Sequence, residues 1–345
     1  MSTVDVVVGG QYGSEGKGAV AAALVANRHA HNGEPPASVR VGGPNAGHTA
    51  YDPWGRRWAL RQVPVGAVVH ERAPLVIAAG SEVDPLVLED GISQLHEAGI
   101  MVRNRLVVDE QATVILDAHK QDEAALTGKI GSTAKGIGAA RAARMMRQAP
   151  LVADVPLPVE TGPTGGHIRN MAVTRGVVIE GTQGYGLGLH AGHYPYCTSG
   201  DVTAVDTLAL AGVSPWMLGI EVEPWVVLRA YPIRVAGNSG PMLNERSWDE
   251  LGLEPEQTTV TKKTRRVGEW DPELAVRAIE ANGGPGAVRL ALTMADHICP
   301  EIAGAQTVRS LQGTDAASWV LEVEDQLENP VEYVGTGPTT HVWRR

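Results

Sequence analysis

Five glycines crowd the ten residues GGQYGSEGKG, Gly9 to Gly18, directly behind the apolar run Val4 to Val8. A glycine-rich turn between a buried strand and a helix directs backbone N–H groups at one point, which suits a phosphate, and Lys17 adds a mobile positive charge. The pattern departs from G-x-x-x-x-G-K-[ST]. Gln11 stands where the first glycine belongs and Gly18 where a hydroxyl residue belongs, which argues against an ordinary Walker ATPase. A tight turn with a surface lysine is the plainer alternative. A second cluster, GGPNAGHTA, places His48 in a small-residue loop behind the expected strand Ser38 to Val41. An imidazole there can donate to a transferring phosphoryl oxygen or act as a general acid. A loop histidine taken alone is more often structural.

The third stretch, IGSTAKGIGAARAARMMR, offers the hydroxyls of Ser132 and Thr133 in a glycine-rich turn, followed by Arg141, Arg144 and Arg147 at helical spacing. Hydroxyls and guanidinium groups together suit a monophosphate, and a solvated basic helix face accounts for the same residues. The fourth, Glu180 to Ala204, is a long loop after a strand. Gln183 and Thr198 are its best ligand candidates, with His190 and His193 as ordinary loop residues.

The elements that must position these loops alternate. Val4 to Val8, Leu75 to Ala79, Arg105 to Val108, Gly176 to Ile179 and Val288 to Leu292 read as strands, several apolar on both faces as a covered parallel sheet requires. Helices are predicted over Lys17 to Arg28, Pro85 to Ala98, Thr113 to Leu126 and Pro272 to Ala281, the last with Asp271 as N-cap. The fold class is therefore α/β, a mostly parallel central sheet flanked by helices with a P-loop-like first turn. Without a clean boundary, residues 1–345 read as one catalytic domain with long active-site loops, such as Ala236 to Pro241. A net charge of -10 argues against nucleic-acid or membrane-surface binding but leaves room for a local anion pocket. Cys197 and Cys299 sit in no metal-ligand spacing and fit a reducing cytoplasm. The glycine loop comes too early for a signal peptide, and no apolar run approaches the roughly 18 residues of a spanning helix. With no phenylalanine, the core must rest on Val, Leu, Ile, Ala, Met and Trp.

Together these stretches resemble adenylosuccinate synthetase. The first loop, NAGHT at Asn45 to Thr49, GSTAKGIG, EGTQG, YPYCTS, TKKTRRVG at Thr261 to Gly268, LTMAD at Leu292 to Asp296 and GTGP at Gly335 to Pro338 have family counterparts in the same order. The resemblance implies a two-step reaction: a nucleoside triphosphate phosphorylates O6 of a purine monophosphate, then the aspartate amine displaces phosphate at C6. One departure stands out. Ordinary members carry aspartate where this chain has Ser14, and the resemblance gives that aspartate the N1 proton of IMP and a share of the magnesium ion. Serine marks the phage-encoded branch that makes 2-aminoadenylosuccinate from dGMP, whose 2-amino group lies beside N1.

The resemblance implies the remaining roles. Ser14 meets the guanine edge and, with the Gly47 carbonyl, holds Mg²⁺. Gly13, Glu15, Gly16, Lys17, Gly18, Gly47, His48 and Thr49 serve the triphosphate, with Ser14, Lys17 and His48 as the catalytic set. Asn45, Ser132, Thr133, Gln183 and Thr198 hold dGMP. Arg147 matches an arginine supplied to a neighbouring subunit, which implies a homodimer. Thr261, Lys263 and Arg265 belong to the aspartate loop, where Lys263 replaces an arginine. Asp296, Gly335, Gly337 and Pro338 line the donor base. Met294 replaces a lysine of the GTP-reading element, which points to ATP or dATP. The alternatives are an ordinary synthetase using IMP and GTP, and a catalytically silent nucleotide-binding protein.

Overall fold

The computed structural model describes residues 2–258 and 263–344. Ten strands form one sheet in the order His341–Trp343, Val331–Gly335, Arg289–Thr293, Ile220–Arg229, Ser2–Gly9, Val177–Glu180, Ala37–Arg40, Leu75–Ile77, Leu106–Asp109 and Glu160–Gly162. Every neighbouring pair is parallel except the edge strand His341–Trp343, which runs antiparallel to Val331–Gly335.

The valine-rich sequence of Ser2–Gly9 follows from its central place. Val4, Val6 and Val8 enter one core and Val7 the other, all fully buried. The helices Gly165–Thr174, Ala204–Leu210, Pro272–Ala281 and Asp315–Leu327 pack on the first face, while Lys17–Asn32 and Pro85–Glu97 cover the second. Each valine or leucine so buried contributes about 1.5–3 kcal/mol relative to exposure, which is how a core without phenylalanine is sustained. Trp225, Tyr333 and Trp343 add edge-to-face contacts near the antiparallel edge.

The predicted strands all occur, shifted by a residue or two, and Pro272–Ala281 starts as expected, with the Asp271 side chain accepting from Leu274 N at 3.0 Å. The helix predicted over Thr113 to Leu126 is shorter. Thr113–Val114 pairs in parallel with Glu82–Val83, as two β-branched residues favour, and the helix covers only Asp117–Ala124. The first helix runs four residues past Arg28, to Asn32, and stops at Gly33, whose φ of 76° is left-handed. The loop after Glu180 contains a single helical turn, Tyr185–Leu187. Among the described residues, no helix is long and apolar enough to cross a membrane.

Candidate active site

Because nine strands run the same way, their carboxyl ends share one edge of the sheet, where ligands of open α/β sheets bind. The loops that leave this edge after Gly9, Arg40, Glu180, Arg229, Thr293 and Gly335 line one cavity of about 710 Å³.

The glycine loop is held differently from what its sequence suggests. Its amides converge on the loop's own carboxylate: Glu15 Oε1 accepts from Gln11 N at 3.1 Å and Gly13 N at 2.7 Å, while Oε2 pairs with Lys17 Nζ at 2.6 Å. Glu15 is fully buried and does not line the cavity, so its expected phosphate contact is replaced by an internal clamp. Lys17 does line the cavity but is paired and nearly buried, hence not a mobile charge. The glycine at position 18 also has a reason. A Cβ there would lie 2.7 Å from Thr49 O and 2.9 Å from His48 Cβ, so the hydroxyl residue of an ordinary P-loop would push the histidine loop away. Ser14, Gln183 and Met294 all line the cavity with left-handed φ values of 57°, 66° and 58°. Such strain in non-glycine residues gathers at functional sites.

His48 opens the strand His48–Tyr51 and is anchored by two end-of-strand charges that sequence reasoning missed. Arg40 and Glu180 close neighbouring parallel strands in register. Glu180 Oε2 meets Arg40 Nη1 at 3.0 Å and His48 Nδ1 at 2.6 Å, and Oε1 accepts from Val65 N at 2.7 Å. Burial alone would raise the Glu180 pKa, but His48 and Arg40 outweigh it and hold the carboxyl below its ordinary range. Burial and the Arg40 charge lower the His48 pKa to about 4. The ionised Glu180 accepts, so Nδ1 carries the proton and Nε2 is left as an acceptor without a partner among the described residues. A charged residue ending each of two apolar strands was the available signal.

Of the residues assigned from sequence, Gly13, Ser14, Gly16, Gly18, Asn45, Gly47, Thr49, Ser132, Thr133, Gln183, Lys263, Arg265, Asp296, Gly335, Gly337 and Pro338 line the main cavity. Thr198 lies instead in a small adjoining arm. Arg147 lies past the end of its helix with φ 60°, exposed, its Nη1 donating to Met145 O, and it does not line the cavity. Thr261 lies outside the described residues. Arg265 Nη1 donates to Ser14 Oγ, and Arg229 Nη1 donates to Ser14 O while pairing with Glu256. Sequence reasoning passed over Arg229 and Glu256, two charges lying 27 residues apart.

The family model for adenylosuccinate synthetase matches residues 6–160 and 166–302. The chain belongs to the adenylosuccinate synthetase family. The enzyme is 38% identical to the adenylosuccinate synthetase of Pyrococcus horikoshii over 96% of this chain and 95% of that protein, and 36% identical to that of Methanocaldococcus jannaschii over 98% and 95%. Among solved structures, the succinoaminodeoxyadenylate synthetase (PurZ) of cyanophage S-2L, bound to dGMP and to dATP as an energy donor, is similar with a TM-score of 0.79. Its identity is 31%, over 98% of this chain and 93% of that one. The fully ligated adenylosuccinate synthetase of Plasmodium falciparum shares the fold, with a TM-score of 0.84 at 19% identity over 99% and 100%. The enzyme is thus a C–N bond-forming ligase of a family that uses a nucleoside monophosphate, L-aspartate, a nucleoside triphosphate and Mg²⁺.

The donor set fits a phosphate-borne Mg²⁺ better than a protein cage. Among the described residues no three His, Cys, Asp or Glu side chains gather as a metal site, and Glu15 is turned away into Lys17. Ser14 and Gly47 both line the cavity and offer a hydroxyl, which also accepts from Arg265, and a backbone carbonyl, neutral hard-oxygen donors that leave charge balance to phosphates.

Proposed function

We propose that the enzyme condenses L-aspartate with dGMP, using ATP or dATP, through a 6-phosphoryl intermediate to give N6-succino-2-amino-2′-deoxyadenylate. The observation that carries this reading is the environment of Ser14. The loop's one carboxylate is buried against Lys17, so the group presented to the cavity is a small neutral hydroxyl, touched by Arg265 from the amino-acid side. A purine with an amino group beside N1 fits there without meeting a carboxylate. Support also comes from the cyanophage enzyme at 31% identity, described with dGMP and dATP.

In this reading Ser132, Thr133, Asn45, Gln183 and Thr198 hold the monophosphate, and Lys263 and Arg265 hold aspartate. His48 waits neutral, its ring fixed by Glu180. Arrival of the negatively charged γ-phosphoryl group favours the imidazolium, and Nε2 then donates to the phosphoryl oxygen as the nucleoside diphosphate leaves and the group passes to O6, the N1 proton of the purine going to water. The aspartate amine next attacks C6 and phosphate leaves. Ser14 and the Gly47 carbonyl would hold Mg²⁺ together with phosphate oxygens, and the ion would supply charge neutralisation on the phosphates. Asp296, whose Oδ1 has no partner among the described residues, accepts the exocyclic amine of an adenine donor, with Met294 beside it in place of a lysine. Arg147 stands exposed next to exposed Met145 and Met146, which supports a homodimer that carries this arginine to the neighbouring site. The whole chain acts as one catalytic domain in a cytoplasm.

The second reading, an ordinary synthetase using IMP and GTP, is favoured by the archaeal relatives at 36–38% identity. A matrix of IMP, GMP and dGMP against ATP, dATP and GTP, with and without aspartate, separates the two. Aspartate-dependent consumption of dGMP with equal release of nucleoside diphosphate and phosphate is expected. Turnover of IMP with dGMP ignored overturns the proposal.

A further inference from the structure

Asn45 and Gln183 open not only onto the main cavity but also onto a small polar arm shared with Thr198 and Gly200. Into this arm the helix Ile137–Met145 sends Arg141, the one cation that lines it among the described residues. Its guanidinium is already aimed. Nε donates to Glu82 Oε1 at 2.6 Å, and neither terminal nitrogen makes a hydrogen bond among the described residues. Glu82 is buried, and its second oxygen has no partner among them. A Cβ at Gly200 would collide with Arg141 Nη1, so the guanidinium lies against bare backbone two residues from Thr198. The other usual anion holder nearby is taken. The N-terminal amides of the same helix are occupied by Glu123, which accepts from Gly136 N at 2.7 Å, from Gly138 N and from Ala139 N. Arg147 is absent from the arm.

We propose that Arg141 grips the 5′-phosphate of the nucleoside monophosphate from within the same chain, that Glu82 is the positioning residue that fixes its fork, and that Gly200 leaves the space for it. This rests on the reading of the enzyme as a ligase of a purine nucleoside monophosphate. A guanidinium anchored through Nε keeps both terminal nitrogens for two phosphate oxygens, the paired geometry in which arginine binds most strongly. Asn45 and Thr198 supply neutral partners around the same group. The arm thus reads the charged end of the substrate independently of its base.

The test compares the affinities of dGMP and deoxyguanosine by calorimetry in wild type, Arg141→Ala, Glu82→Ala and Gly200→Ala. Wild type binds the nucleotide more tightly than the nucleoside. Arg141→Ala narrows that gap about 10- to 100-fold while leaving deoxyguanosine affinity alone, and Arg141→Lys restores part of it. Glu82→Ala and Gly200→Ala narrow it less, in the same direction. A gap that survives in Arg141→Ala overturns the proposal, as does equal weakening of nucleotide and nucleoside, which marks a merely structural residue. Should dGMP prove not to be a substrate, the functional reading above fails by itself, and IMP with inosine applies the same test to Arg141.

Discussion

Around His48 nearly every polar group is engaged before substrate arrives: Nδ1 on Glu180, Glu180 on Arg40 and Val65, and Lys17 on Glu15. Across the central strand, Asp296 Oδ1 and His297 Nδ1 are buried with no partner among the described residues. The first side is a network set by strand register and left open at His48 Nε2 and Arg40 Nε, so the imidazole that the proposal sets against the transferring phosphoryl is fixed in position and tautomer. The second side leaves its hydrogen-bonding capacity unused, as the proposed donor-base site requires. On the proposed function, chemistry is preorganised on one side, and recognition is completed by the ligand on the other.

The largest expected effect breaks the first side at its reactive end. His48→Ala lowers phosphoryl transfer about 10²- to 10⁴-fold, read as single-turnover nucleoside diphosphate release, with nucleotide binding retained. Near-normal release would remove His48 from the chemistry. Next, Glu180→Gln leaves the Arg40 charge buried without its counter-ion and costs about 3–5 kcal/mol in urea unfolding. A loss below about 1 kcal/mol would show that the network is not a unit.

The same network predicts a pH dependence. His48 has a folded pKa of about 4 against an ordinary 6.5, so the unfolded chain binds the proton first, and stability declines as pH falls from 6.5 toward 4. A tenfold difference in proton affinity between the folded and unfolded chains corresponds to about 1.4 kcal/mol. Glu180, also held low, acts in the same direction in more acidic solution. Melting temperature against pH should therefore slope more steeply in wild type than in His48→Asn, and equal slopes would contradict the assignment.

Smaller effects sharpen the recognition side. Ser14→Asp sets a carboxylate beside Arg265 and shifts the dGMP-to-IMP ratio of kcat/KM toward IMP by about tenfold, on the order of 1.4 kcal/mol. An unchanged ratio would take Ser14 out of base selection. Asp296→Asn raises KM for ATP several-fold, roughly 1 kcal/mol as a neutral amide oxygen takes the place of the charged acceptor, while KM for dGMP stays put. Movement of both constants would place Asp296 elsewhere in the mechanism.

Much of the scaffold was legible because it depends on local pattern. Val4 to Val8, Val288 to Leu292 and the Asp271 cap declare themselves by composition and punctuation. The loops at Gly9 to Gly18 and Asn45 to Thr49 could be read from motif, and they do meet at the cavity. What stayed hidden depends on register. Arg40 and Glu180 are 140 residues apart and become partners only because their strands are adjacent and aligned. Arg141 and Glu82 are joined by the placement of a helix over the sheet edge, 59 residues away in sequence. Thr113 and Val114 fit a helical period because nothing local reveals the short strand Glu82–Val83 that pairs with them. The direction of the glycine loop's amides escapes motif reading for a related reason: the acceptor they find, Glu15, belongs to the loop itself.

That internal acceptor has a bearing on the enzyme between turnovers. With Lys17 neutralised by Glu15, an empty cleft does not strand this buried ammonium group, and the turn keeps its shape with no nucleotide to template it. If the proposed triphosphate meets Lys17, its arrival is an exchange of one anion for another at the ammonium group. The free energy released there is smaller than a naked lysine would give, and spent nucleotide departs more easily for it.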